Sequence, residues 1–268
     1  MMGSRSISSS AWVWQRRIER AQELANRPST AIEPLRFYEL ILRFQAGVAK
    51  DFEAVFDASR SLREQIDGEF AASKMVLVLA LASEHGPHTL ADRAKELRRL
   101  DKEASSELLE CGIANEFREN LLDEFFSRGC IQPIAEKLQA QIPTHEHFFK
   151  SSCPACEGLP QLSILRPEGE GASRSLQCSF CLREWLFRRI ICPSCGEEDK
   201  EKLPRYSAPE CGHVSIEACE TCRKYLKSVD MTVDGHAEAL VDEAAVAALD
   251  VWATERGYTK IVRNLIGF

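Results

Sequence analysis

Long apolar runs are missing from this 268-residue chain. The longest, at 75–82, falls far short of the roughly 20 residues that a membrane-spanning helix needs, so no direct membrane insertion is expected. The first residues also lack the apolar core of a secretory leader. Positions 1–10 are polar, and Trp12, Val13 and Trp14 are too few to supply one. Arg16-Arg17 has the look of a twin-arginine signal, but Ile18-Glu-Arg-Ala-Gln-Glu behind it is a charged helix, not an apolar stretch. A cytoplasmic protein with reduced thiols is the expectation. Excess positive charge is absent too. The net charge is −7, with −4 from residue 151 onward and −3 before it, so a phosphate backbone meets repulsion on both halves. No nucleic-acid partner is expected, and the basic patches Arg183/Arg188/Arg189 and Arg223/Lys224/Lys227 read as solvated faces.

What the chain does have is cysteine, in four Cys-x-x-Cys pairs: Cys153/Cys156, Cys178/Cys181, Cys192/Cys195 and Cys219/Cys222. Two intervening residues let a tight turn aim both sulfurs at one ion. Eight thiolates complete two tetrahedral sites with no histidine or carboxylate. A glycine soon after a pair relieves the backbone that folds around the ion, as Gly158 and Gly196 do after the first and third pairs. The second and fourth pairs lack that Pro and Gly, so the order is A, B, A, B, the mark of a duplication. Disulfides are the competing reading of the same cysteines, and they need an oxidising compartment.

Within the first repeat, 159–165 reads as a strand, 167–171 as a turn and 173–177 as the returning strand. The second repeats the plan with strands at 202–207 and 214–218 around a turn at 209–212. Each repeat can then close its own site: Cys153, Cys156, Cys178 and Cys181 in one, Cys192, Cys195, Cys219 and Cys222 in the other. Spacing leaves the crossed pairing, first with third and second with fourth, open. Four thiolates suit zinc as well as iron.

The first 145 residues read as helical and carry no catalytic constellation. Phe37, Ile41, Phe44, Val48, Phe52 and Val55 recur at three- and four-residue steps. Thr30-Ala-Ile-Glu33 and Thr89-Leu-Ala-Asp92 fit helix N-terminal capping signals. Helices are expected over 12–25, 74–84, 90–109 and 114–139, the last broken near Gly129 and Pro133, with a linker at 143–147. A C-terminal helix is expected over 238–257, with Leu240, Ala244, Ala248 and Val251 on its apolar stripe. The fold class is thus α+β: a helical domain (1–147), two tandem rubredoxin-like or zinc-ribbon-like four-cysteine subdomains (148–190 and 191–268), and a C-terminal helix within the second. Cys111 and Cys130 read as buried free cysteines, and His85 and His88 as an exposed helix-helix turn. His145 and His147 belong to the linker. Cys211-Gly212-His213 falls at a hairpin turn, where Cys211 could offer a ninth sulfur.

Beyond the last pair the chain reads Cys219-Glu-Thr-Cys222-Arg-Lys-Tyr225-Leu-Lys227-Ser-Val-Asp230, then Val241-Asp242-Glu243, Ala248-Leu-Asp250-Val-Trp252-Ala and Gly257-Tyr258-Thr-Lys260. Together with Trp185-Leu-Phe-Arg-Arg-Ile-Ile-Cys192-Pro-Ser-Cys195-Gly196, this resembles the formate dehydrogenase accessory protein family, FdhE. The likeness covers about 150–268 and extends more weakly over 20–45, where Asn26-Arg-Pro28 replaces the family's usual His-Pro. It implies a bacterial cytoplasmic maturation factor, not an enzyme, that associates with the catalytic subunit of a respiratory formate dehydrogenase. It also implies two rubredoxin-like irons on the eight cysteines. The helical domain and the surface around Tyr225, Lys227 and Asp230 are expected to present a docking face to the client. The rivals are a dithiol redox enzyme using one exposed Cys-x-x-Cys pair, and a zinc-ribbon adapter for nucleic acid or another protein.

Overall fold

The computed structural model describes residues 6–27, 32–53, 55–99, 102–114, 121–143, 149–208 and 211–267. It contains two compact units, one of Met1–Ile142 with Leu265–Gly267 and the other of Pro143–Asn264.

The first unit is helical: α1 (Ser6–Ala25), α2 (Ile32–Asp51), α3 (Gly68–His85), α4 (His88–Leu97), α5 (Lys102–Ala114) and α6 (Leu121–Gln139). On α2 the periodic residues Phe37, Ile41 and Val48 are buried, and Phe52 just beyond its end is buried too. Val55 lies past the helix and is 88% exposed, so the periodicity ran on beyond its cause. Arg17 has a structural role. It is buried in α1, forks both guanidinium nitrogens onto Glu136 at 2.6 and 2.9 Å, and stacks over Trp14.

Three helix expectations change. The helix predicted over 90–109 is two, α4 and α5, and α4 starts directly after Pro87, so Thr89 lies inside it and caps nothing. The capping signal at Thr30 lies outside the described residues. The predicted break in α6 is absent, although Pro133 sits inside it. A proline removes the N–H that would bond the carbonyl four residues back. Here that carbonyl is Gly129's, and the buried Gln45 amide of α2 donates to it at 3.3 Å. The helix continues because its orphan acceptor has found another donor.

The second unit is built on one seven-stranded sheet, with β1 (Pro160–Glu168), β2 (Gly171–Cys178), β3 (Glu184–Phe187), β4 (Arg205–Ser207), β5 (Val214–Ala218), β6 (Lys224–Asp230) and β7 (Thr259–Lys260). Its order is β3-β2-β1-β6-β5-β4, with β7 beside β6. Each repeat forms an antiparallel three-stranded meander, β1-β2-β3 and β4-β5-β6. The two meet where β1 pairs in parallel with β6, Leu162 to Lys227 through Leu165 to Asp230. The hairpin strands follow the sequence reading. The strands after each second cysteine pair, β3 and β6, were hidden in what looked like basic patches.

One sheet face packs Leu162, Ile164, Val214, Ile216, Tyr225 and Val229 against α7 (Ala239–Ala245) and α8 (Ala247–Glu255). The single C-terminal helix of the sequence reading is therefore two. The chain breaks at Val246 (φ −114°, ψ 54°), and this turns Ala248 and Val251 outward while Leu249 and Ala253 go in. The cause is Lys227, fully buried in mid-sheet, whose Nζ donates to the carbonyls of Glu243 and Val246 at the break.

Lys227 and Lys260 face Glu243 and Asp250 in a buried set of two cations and two anions. Lys227 lies 3.0 Å from Glu243, and Lys260 lies 3.0 Å from Asp250. The Tyr225 hydroxyl donates to Asp250 at 2.8 Å, and the Asn264 amide donates to Glu243 at 2.7 Å. Burial pushes the Glu243 carboxyl up, but Lys227 and Lys260 outweigh it and hold the group below its ordinary 4.5. A carboxylate depressed in the folded state stabilises fully above its unfolded value and loses that contribution as pH falls through the folded value. Melting temperature is therefore expected to fall steeply below about pH 4.5. Glu243→Gln should lower it at pH 7, by about 3–5 kcal/mol of stability, and flatten the acid slope; an unchanged slope by calorimetry contradicts the assignment.

Candidate metal centres

All four Cys-x-x-Cys pairs adopt the same knuckle. In each, the first cysteine's N–H donates to the carbonyl five residues on: Cys153 to Gly158, Cys178 to Arg183, Cys192 to Glu197 and Cys219 to Lys224, at 2.8 to 3.0 Å. The residue after each second cysteine has positive φ: Glu157 at 60°, Leu182 at 58°, Gly196 at 79° and Arg223 at 57°. Backbone N–H groups of Ala155, Phe180 and Ser194 also point at the sulfurs of Cys153, Cys178 and Cys192, at 3.3 to 3.4 Å. The division into glycine-bearing and glycine-free kinds thus vanishes in three dimensions. Three of the four knuckles place a side-chain-bearing residue in the left-handed region, which costs roughly 1–2 kcal/mol each. Gly158 serves another purpose. A Cβ there would sit 2.9 Å from the Cys178 sulfur and 3.3 Å from that of Cys156.

The sulfurs converge in two fours, Cys153, Cys156, Cys178 and Cys181, then Cys192, Cys195, Cys219 and Cys222, each within 4.8 Å of one another. In the first cage Cys153–Cys181 is 3.6 Å, Cys156–Cys178 3.4 Å and Cys156–Cys181 3.5 Å. In the second, Cys192–Cys222 and Cys195–Cys219 are both 3.7 Å. A tetrahedron with metal–sulfur bonds of about 2.3 Å has edges of about 3.8 Å, while a disulfide is about 2.05 Å. No disulfide is present among the described residues. The crossed grouping does not occur.

The donor set fits a cation. Burial pushes the Cys178 and Cys181 thiols well up, while hydrogen bonds from Cys156, Cys178 and Cys181 pull Cys153 far down. Four thiolates together need a positive charge at the centre. The two cages differ in access. All four sulfur residues of the first are buried, whereas Cys195 is exposed and Cys222 half-buried in the second.

The remaining candidates separate from the cages. Cys211 joins neither four; His213 beside it bonds Asp242 at 2.7 Å and lies near Asp234. Cys130 is fully buried, and burial pushes its thiol far up, so it is unreactive. Cys111 is half-buried. His85 and His88 flank the α3–α4 turn and are exposed, while His145 and His147 lie outside the described residues.

The docking face expected around Tyr225, Lys227 and Asp230 is corrected. Tyr225 and Lys227 are buried in the ion set above, and Asp230 accepts from Thr232 to hold a turn. Of the basic patches, Arg188, Arg189, Arg223 and Lys224 are exposed as expected, whereas Lys227 and Arg183 are buried, Arg183 donating to the Pro143 carbonyl at 2.7 Å. Sequence reasoning missed the left-handed residues and the Lys227 set. The clue to the latter was a lysine alternating with Tyr225 and Val229 along an otherwise apolar strand.

The cage geometry yields a paired expectation for the metal-free, reduced protein. Gly158→Ala should raise iodoacetamide labelling of Cys156 and Cys178, because the new methyl displaces their sulfurs. Gly196→Ala meets open space and should leave labelling unchanged while costing about 1 kcal/mol for its positive φ. Peptide mass mapping and chemical denaturation read both. Identical labelling in the two variants would contradict the close contact at Gly158.

Comparison with known proteins follows the same division. Residues 152–189 match the model of the FdhE central domain, and residues 190–266 that of the FdhE C-terminal domain. An FdhE homolog from Aquifex aeolicus is 32% identical over 196 residues, 71% of this chain and 68% of its own. Protein FdhE of Escherichia coli O9:H4 is 25% identical over 271 residues, 92% of this chain and 85% of its own. The crystal structure of the FdhE protein from Pseudomonas aeruginosa shares the fold, with a TM-score of 0.77, 96% of each chain covered and 23% identity. With two consecutive domain models matched and a relative aligned over two thirds of its length, the chain belongs to the FdhE family.

Proposed function

We propose that this protein is a non-catalytic accessory factor for a formate dehydrogenase, holding two metal ions in its eight-cysteine cages and engaging the enzyme's catalytic subunit. The observation that carries the metal part is the convergence of eight sulfurs into two closed fours at tetrahedral spacing. A cage with four thiolates has no open coordination position, and catalytic metal sites keep one. That argues for holding and against substrate turnover. Cys153, Cys156, Cys178 and Cys181 would hold one ion, and Cys192, Cys195, Cys219 and Cys222 the other. Iron would supply one-electron chemistry, zinc none.

The protein's own residues do the rest. The knuckles orient the sulfurs, and the first two strands of each meander span the gap between its two pairs, so 148–190 and 191–268 act as successive metal subdomains after the helical part, 1–147. Family membership supports partnership with a formate dehydrogenase, and the need for eight reduced thiols supports a cytoplasmic setting. The dithiol-enzyme alternative needs one exposed pair acting alone, whereas each pair here faces a second.

Anaerobic purification should recover about two metal ions per chain, as two four-thiolate sites require. Cys192→Ser should retain one, and loss of both would refute independent cages. A competing chelator should strip the wild type in two phases, the faster from the cage with exposed Cys195. Co-purification from the native host should bring down the formate dehydrogenase catalytic subunit; its absence under anaerobic conditions would sink the accessory role.

A further inference from the structure

The meander of the second repeat and the loop of the second cage enclose a cleft of about 560 Å³ whose charge runs against that of the whole chain. Arg174, Arg189, Lys200, Arg205 and Lys224 line it with a single carboxylate, Glu217. That carboxylate is already neutralised. Arg174, buried, bonds it at 2.6 Å and is fixed by the carbonyls of Arg188 and Ile191 at 2.9 and 3.2 Å. Burial pushes Glu217 up, but Arg174 and Arg205 outweigh this and keep it ionised.

Three cations, Arg189, Lys200 and Lys224, have no carboxylate partner among the described residues. Arg189 donates only to the Ala172 carbonyl, and Arg205 bonds the Ser215 hydroxyl and stands 3.9 Å from Asp230. Lys200 and Lys224 have no ion-pair partner among the described residues. Between the cations the wall is apolar, with Leu203, Leu226 and Ile261, and Ile190 at the lip is 53% exposed. No glycine lines the cleft, and no long helix ends there, so the backbone cradle typical of a small phosphate ligand is missing. Exposed lysines around an apolar trough match extended polypeptide in which acidic and apolar side chains alternate.

We propose that this cleft binds an acidic, partly apolar peptide segment of the client. The proposal rests on the accessory role above and replaces the buried Tyr225/Lys227 face as the docking surface. Cys192 and Cys219 form part of the wall, so the second cage shapes the cleft.

The test uses the full-length metal-loaded protein and a fluorescein-labelled peptide of alternating Glu and Leu, with a Lys-Leu peptide as control. Anisotropy should detect binding of the acidic peptide alone, weakening about tenfold or more as salt rises from about 50 to about 200 mM. The double variant Lys200→Glu with Lys224→Glu should lose at least about tenfold, with metal content and circular dichroism unchanged, and should recover less formate dehydrogenase catalytic subunit from the host. Equal peptide binding by wild type and variant overturns the site. Binding of pyrophosphate or a single-stranded oligonucleotide, lost in the variant while the acidic peptide never binds, overturns the occupant. Full client recovery by the variant overturns the cleft as a client site and leaves the accessory role standing. Failure of the wild type to recover the client sinks that role instead, and the peptide arms still judge the cleft.

Discussion

Four thiolates brought to within 4 Å of each other repel, and nothing in a loop of polypeptide offsets that repulsion except a cation and a backbone that cannot relax away from it. The knuckle is this chain's answer, used four times. It turns on one left-handed residue and one hydrogen bond that closes the loop five residues on. Because it delivers sulfurs in twos, each cage needs two knuckles, and the hairpin between them, β1-β2 or β4-β5, sets how far apart they can lie. The sheet of the second unit is therefore tied to its cages at the root of each hairpin.

The parallel junction of β1 with β6 makes one sheet out of two repeats, and it places Lys227 where no solvent reaches. A lone buried ammonium is untenable. Glu243 and Asp250 come from the helices that cover the sheet, Lys260 from the strand beside β6, and the charges cancel in a closed set. This set also explains why the covering helix is broken. Lys227 donates to the Glu243 and Val246 carbonyls at the break, so the interrupted helix turns these acceptors toward the buried cation. Ions thus organise the unit at two levels, within the cages and behind the sheet.

The two cages differ in exposure. The first, enclosed on all four sulfurs and closely backed by Gly158, is suited to holding the fold. The second opens through Cys195 and borders the cationic cleft, so it lies where a partner could meet it.

Much of this was legible in the residues. The eight cysteines and the two hairpins follow from spacing and from alternation between turn signals, because a Cys-x-x-Cys turn and a two-residue side-chain period are local properties; spacing left the crossed grouping open, and the convergence of the sulfurs closed it. β3, β6 and the break at Val246 were not legible. Arg183 and Lys227 look solvated on any one-dimensional scale, and only partners distant in sequence, the Pro143 carbonyl and the carboxylates of α7 and α8, make their burial tolerable. The same holds for Pro133, whose expected break was mended by Gln45 from another helix. Sequence by itself determined which atoms could bind metal and how the chain doubles back between them, since both depend on neighbours along the backbone. Tertiary structure decided which charges are inside, where the helices stop and which cations are left over to face a ligand, since each of those depends on a counter-charge or an acceptor brought in from elsewhere.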